Sequence, residues 1–246
     1  MAIACHDRER EHRLADELGT ILGVWAHPDD ETYLTAGLMV RAVRNGSRVV
    51  CVTATRGEGG SLDDEKWPSA TMGEVREKEL LQSLAVLGVT EHQWLDLPDV
   101  DMDTPLPEKG AGTVRAIMEE VRPDTVLTFG PDGMTGHDDH QAACRWATAA
   151  FDQVGRPGAL LAYATKTPDW NARYVASLDE QNVFMGFTPP ATPVEELVIN
   201  EELRGDLLDA KVRALMSMPS QVMPLIEAVG PDTYREAMAL EAFRGR

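Results

Sequence analysis

Apolar positions along the chain fall into two spacings that alternate. Residues 21–26 (ILGVWA) form a compact apolar run closed by His-Pro, which predicts a buried strand. Over residues 32–44 apolar side chains recur at Leu34, Leu38, Met39 and Ala42, and Asn45-Gly46 supplies a stop, so the spacing predicts a helix. Residues 47–55 (SRVVCVTAT) predict a second strand, followed by a glycine-rich loop over 57–61. A helix is predicted over 74–87, closing at Gly88, then a short strand over 92–97 and a helix over 110–121. Residues 125–129 (TVLTF) predict another buried strand, and the chain reads as helical from His137 to about Phe151. A charged amphipathic helix is predicted ahead of these elements, over 7–18. Beyond residue 155 the pattern is less regular: strands are predicted over 159–165, 183–187 and 195–200, and helices over 201–217 and 232–243.

Strands alternating with helices imply right-handed βαβ units, hence an α/β fold with a mainly parallel sheet and helices on both faces. With no repeat or break in composition, a single Rossmann-like domain over 1–246 is expected, residues 1–19 forming an N-terminal helical extension. The 246 residues suffice for a core without disulfides, and three cysteines (Cys5, Cys51, Cys144) make no paired framework. The net charge of −18 disfavours nucleic acid and anionic membrane surfaces as partners. No run approaches the ~20 apolar residues of a membrane-spanning helix. Charged residues stand where a signal peptide needs an apolar core, so the expected compartment is the cytoplasm.

Two clusters of histidine and carboxylate carry the candidate chemistry. Ala26-His27-Pro28-Asp29-Asp30-Glu31 follows the first strand, where ligands bind in open α/β sheets. With a helical turn starting at Pro28, His27 and Asp30 are three residues apart and converge, while Asp29 points elsewhere. The second cluster, Gly136-His137-Asp138-Asp139-His140, enters the helix after TVLTF. Imidazole and carboxylate in a three-ligand set with an open position is the pattern of catalytic zinc. Asp29 and Asp138 also suit helix starts without any chemistry. Two such clusters, each between a buried strand and a helix, favour a metal site over two caps.

These residues resemble the LmbE-like/PIG-L N-acetylglucosaminyl deacetylase family, whose signature is A-H-P-D-D-E with a later H-x-x-H. The resemblance extends to Arg56-Gly57-Glu58-Gly59-Gly60, to Arg76 and Glu79 with Leu87-Gly88, to Asp99, and to Lys211 with Ser220-Gln221. It implies that His27, Asp30 and His140 bind Zn²⁺, that Asp29 is the general base, and that His137 stabilises the oxyanion and helps protonate the leaving amine. Asp138 stands where the family usually has proline, and Thr135 where some relatives carry a tyrosine.

Asp139 is expected to orient one histidine from behind. Arg56, Glu58, Arg76 and Asp99 are the candidate substrate contacts, and specificity is expected in 57–72, 100–110 and 165–195. Cys144 reads as a packed thiol, and His92 and His6 as exposed. The expected activity is zinc-dependent removal of an N-acyl group from a small-molecule amino-sugar conjugate, and a homo-oligomer is compatible with the sequence. A hydrolase of a non-sugar amide and a sugar-binding module without chemistry are the alternatives. No G-x-G-x-x-G follows the first strand, which argues against a dinucleotide.

Overall fold

The computed structural model of the chain describes residues 17–99 and 109–246. In chain order β1 (Ile21–Trp25) leads to α1 (Asp30–Arg44), β2 (Val49–Thr53), α2 (Met72–Leu87), β3 (Glu91–Trp94), α3 (Lys109–Val121), β4 (Thr125–Phe129), α4 (Asp138–Val154) and β5 (Leu160–Thr165). Every residue of β1, β2 and β4 is buried, as continuous apolar runs of a parallel sheet should be. The chain leaves α2 at Gly88, whose φ of 76° is a left-handed conformation that glycine adopts without strain. After β5 come α5 (Pro168–Asp179), β6 (Leu197–Glu202), α6 (Gly205–Leu215), α7 (Pro219–Val229), α8 (Pro231–Ala237) and β7 (Leu240–Gly245).

One seven-stranded sheet results, in the order β3-β2-β1-β4-β5-β7-β6. Its first five strands are parallel; β7 runs antiparallel between β5 and β6. The order reverses between β1 and β4, so right-handed crossovers place α1 and α2 on one face and α3 and α4 on the other. In accord with this, α1 packs with α2 and α6, and α3 with α4. A second apolar cluster, containing Trp170, Tyr174, Leu215, Val222 and Tyr234, holds the later helices together. Among the described residues, no helix is long and apolar enough to cross a membrane.

Four expectations for the second half need correction. Residues 183–187 form turns instead of a strand, with Asn182 and Met185 at positive φ (58° and 50°), which an extended strand excludes. The helix expected over 201–217 starts at Gly205, because Glu201 and Glu202 complete β6 in register with β7. The helix expected over 232–243 ends at Ala237; the residues beyond become β7, drawn into the sheet by two neighbours. Helices α5 and α7 were not expected, although Thr167 caps α5 by accepting the Trp170 N–H and Pro168 fills its first turn. The helix predicted over 7–18 and the extension over 1–19 lie almost wholly outside the described residues, as do most of 100–110.

Candidate metal centre

Because β1 and β4 pair side by side, the loops that leave their carboxyl ends meet where the strand order reverses. In the first loop the N–H groups of Ala26 and His27 donate to Asp30 Oδ2 at 3.2 and 2.7 Å, so the turn fixes the carboxylate of its own helix start. In the second loop His137 is the N-cap of α4, its Nδ1 accepting the Asp139 N–H at 3.2 Å. His140 follows one turn in, stacked on Phe129 with ring centroids 4.0 Å apart.

Three of the predicted groups converge. His27 Nδ1 and His140 Nε2 are 3.2 Å apart. Asp30 presents Oδ1 to His140 Nε2 at 3.4 Å and Oδ2 to His27 Nδ1 at 3.8 Å. All three residues are 8% exposed. The hydrogen-bond network assigns the tautomers. His140 Nδ1 donates to the Gly133 carbonyl at 2.8 Å, which leaves a lone pair on Nε2. His27 Nε2 lies 3.2 Å from Asp139 Oδ2 and 3.5 Å from Asp99 Oδ1, so that nitrogen carries hydrogen. In neutral His27 the Nδ1 lone pair would then face the His140 lone pair and the Asp30 carboxylate, a repulsive arrangement unless positive charge is supplied.

The titration behaviour of the pocket points the same way. Burial opposes charge on His27, yet hydrogen bonds to Asp139 and Asp99 and the charge of Asp30 push its pKa up to about 10. Burial, and then the charges of His27 and His137, hold His140 well below the ordinary range. One positive charge belongs among these groups, and a divalent cation on two imidazole nitrogens and a carboxylate fits the place. His27, His137 and Asp139 form a second, overlapping group with metal-ligand spacing. There Asp139, 1% exposed, is already the hydrogen-bond partner of His27, with its Oδ1 buried and unpartnered.

Asp29 stands beside this trio and outside it. Its backbone has φ 145° and ψ −29°, a conformation that costs a non-glycine residue on the order of 1–3 kcal/mol. Its side chain makes no cap, and Oδ2 accepts from Arg76 Nη2 at 3.2 Å. Burial raises its pKa to about 6 against the pull of Arg76. Glu31, fully buried, accepts the Asp29 N–H at 3.3 Å and the Thr32 hydroxyl at 2.6 Å; burial lifts it to about 8. Sequence reasoning gave Glu31 no task, although its place in the A-H-P-D-D-E run was the available signal.

Other predicted residues are distributed around the centre. Asp99 faces His27 and accepts the Gly59 N–H at 2.7 Å; Glu58 accepts the Asp99 N–H at 3.0 Å, with Oε2 buried and unpartnered. Burial resists charge on Asp99, but His27 holds its pKa below the ordinary value. Arg56 pairs with Glu77 and Asp96 and lies over the Trp94 ring. Arg76 is turned inward, 4% exposed, its terminal nitrogens bonded to protein oxygens. Thr135 Oγ1 reaches His140 Nδ1 at 3.3 Å, whereas Asp138 belongs to neither metal-ligand group. Burial and the His27 charge hold His137 below its ordinary pKa. Cys144 is a buried free thiol. His92, expected to be exposed, is half-buried, bonded to Thr53 Oγ1 at 2.9 Å and edge-on to Trp94. His6 lies outside the described residues.

Residues 22–151 match the PIG-L family, described as GlcNAc-PI de-N-acetylase. A 1D-myo-inositol 2-acetamido-2-deoxy-alpha-D-glucopyranoside deacetylase from Saccharomonospora viridis is 30% identical over 87% of each chain. A protein of the same description from Mycobacterium sp. strain KMS is 37% identical over 54% of this chain, which spans half of that relative's length. Among solved structures, the N,N'-diacetylchitobiose deacetylase of Pyrococcus horikoshii superposes with a TM-score of 0.64 at 20% identity, covering 94% of this chain and 84% of its own.

Proposed function

The chain belongs to the PIG-L family, and we propose that it is a zinc-dependent hydrolase that removes an N-acetyl group from a small-molecule N-acetylglucosamine conjugate, working in the cytoplasm. One observation carries the reading: two imidazole nitrogens 3.2 Å apart, with a carboxylate oxygen of Asp30 against them, form a buried cation seat at the crevice of the sheet. His27, Asp30 and His140 would hold the cation.

Amides resist hydrolysis because resonance strengthens the C–N bond and water is a weak nucleophile at neutral pH. A divalent cation held there would supply Lewis acidity, of the kind that lowers the pKa of water to ~7 and polarises an acyl oxygen. Asp29, adjacent to a ligand and held outside the trio, takes the proton of the attacking water. His137, whose Nδ1 is occupied by the Asp139 N–H, keeps its proton on Nε2, from which it donates to the acyl oxygen as charge develops there. As the bond to the acyl carbon breaks, the departing nitrogen takes up the proton that Asp29 removed from the water, leaving amine and carboxylate. Asp139 fixes the His27 tautomer through Nε2, and Asp99, with Glu58 behind it, meets the substrate from the opposite loop.

Metal analysis of the purified chain, combined with amine-release assays over a panel of N-acetylglucosamine conjugates with and without chelator, tests this reading. Release that needs about one equivalent of zinc is the expected result. Cleavage restricted to N-acyl compounds without a sugar would replace it with the non-sugar amide reading, and saturable sugar binding without turnover in the zinc-loaded protein would leave a binding module.

A further inference from the structure

Three sequence elements far apart in the chain converge behind Asp29. On α2, Arg76 donates through Nη2 to the Pro28 carbonyl at 2.9 Å and to Asp29 Oδ2 at 3.2 Å, and through Nη1 to the Gly57 carbonyl at 3.2 Å. On the other side, Glu31 accepts the Asp29 N–H. The glycine-rich loop is shaped around the guanidinium: a Cβ at Gly57 or Gly60 would collide with Arg76, and the φ of 65° at Gly57 favours glycine as well. That loop is tied to α7, where Gln221 Nε2 donates to the Gly60 carbonyl at 3.1 Å. The start of α7 is pinned to α2, because Glu79 accepts both the N–H (2.9 Å) and the hydroxyl (2.5 Å) of Ser220.

Resting on the function proposed above, we infer that Arg76 is a positioning residue: with Glu31 it clamps Asp29 in a strained backbone conformation that keeps the carboxylate beside the cation seat and out of its ligand set. A guanidinium suits the task because its planar fork spans the carboxylate and two carbonyls at once, which a point charge cannot do. The clamp gives a role to Gly57, Gly60, Glu79 and Ser220-Gln221, none of which the proposed reaction uses. It also accounts for an arginine that sits against the site with almost no surface to offer a ligand. When the clamp is released, the Asp29 backbone relaxes and its carboxylate is free to swing onto the cation.

The test uses the full chain loaded with cobalt(II), whose visible absorption reports coordination number, alongside steady-state kinetics of the zinc form. For Arg76→Gln the expected results are a kcat lower by about 10²-fold with KM nearly unchanged, and an altered cobalt spectrum that returns to the wild-type form in Asp29→Asn/Arg76→Gln. Arg76→Lys is expected to fall between. Gln221→Ala, which touches neither Asp29 nor a ligand, is expected to lower kcat several-fold in the same pattern, and it carries the test if Arg76→Gln does not fold. A raised KM with kcat and cobalt spectrum unchanged would make Arg76 a substrate contact and overturn the clamp, as would wild-type kinetics and spectrum. If the wild-type protein releases no amine from any conjugate, the deacetylase reading fails, while the cobalt spectra still decide whether Arg76 restrains Asp29.

Discussion

Lys211 and Glu241 are both fully buried, and both oxygens of the glutamate are engaged: Oε1 takes the Lys211 ammonium and the Gly37 N–H, and Oε2 takes the Leu38 N–H, each at 2.9 Å. His27, Asp30 and His140 are almost as deeply buried, and their nitrogens and carboxylate face one another with the spacing of a metal-ligand group. A closed pair of buried charges ties α6 and β7 to the middle of α1 and leaves nothing to bind. The second group instead brings two imidazole nitrogens and a carboxylate oxygen to one point, as a cation ligand set requires. Buried charge is expensive in both regions, and whether its valences are satisfied separates scaffold from site.

Substitutions can break or sharpen that contrast. The largest effect is expected from Asp29→Asn, which should lower kcat by ~10²–10⁴ while metal content and melting temperature stay at wild-type values; metal analysis with kinetics checks it, and full activity at normal zinc content would remove Asp29 from its role. Glu241→Ala should do the reverse, costing about 3–5 kcal/mol of stability by stranding the Lys211 charge, with kcat per folded molecule within about twofold of wild type because the two sites share no partner. Urea unfolding and kinetics on the folded fraction measure the pair of outcomes.

A smaller effect concerns Lys166, which lies over the Trp170 ring and donates to the Leu240 carbonyl at 3.1 Å. Burial, and then the Lys211 charge, lower its pKa from 10.5 to about 7. Between those values the unfolded chain binds the extra proton, so this group makes stability rise with pH across the window, by at most about 1.4 kcal/mol per unit. Lys166→Met should flatten the rise, as urea midpoints at pH 7, 8 and 9 would reveal; an unchanged slope would assign it to other groups. The smallest effect is expected at Thr135→Val: Gly133 still holds His140 Nδ1, so kcat should change by no more than about twofold. A loss of 10²-fold would show that the hydroxyl acts on substrate.

The first half of the fold was legible because its signals are local. Continuous apolar runs of buried parallel strands, helical spacing with a glycine stop, and histidine-carboxylate runs at strand ends each occupy fewer than about 16 neighbouring residues. The second half was not. Residues 240–245 become a strand only because β5 and β6 offer edges on either side, and a segment of that composition reads equally well as helix. Arg76 shows the same limit within the site: its helix spacing was plain, but nothing local revealed that it turns inward toward Pro28 and Asp29.

By itself, the sequence determined the α/β class, the parallel strands at its centre, and the residue types of a candidate metal-ligand set at the ends of two of them. Those follow from short-range periodicity and from the chemistry of imidazole and carboxylate, which neighbours in the chain already express. The tertiary structure decided that His27 and His140, more than a hundred residues apart, come within 3.2 Å, that Asp29 is strained and held outside their group, and that Lys211 and Glu241 neutralise each other. Such relations depend on which elements pack together, and packing is settled by the whole core at once.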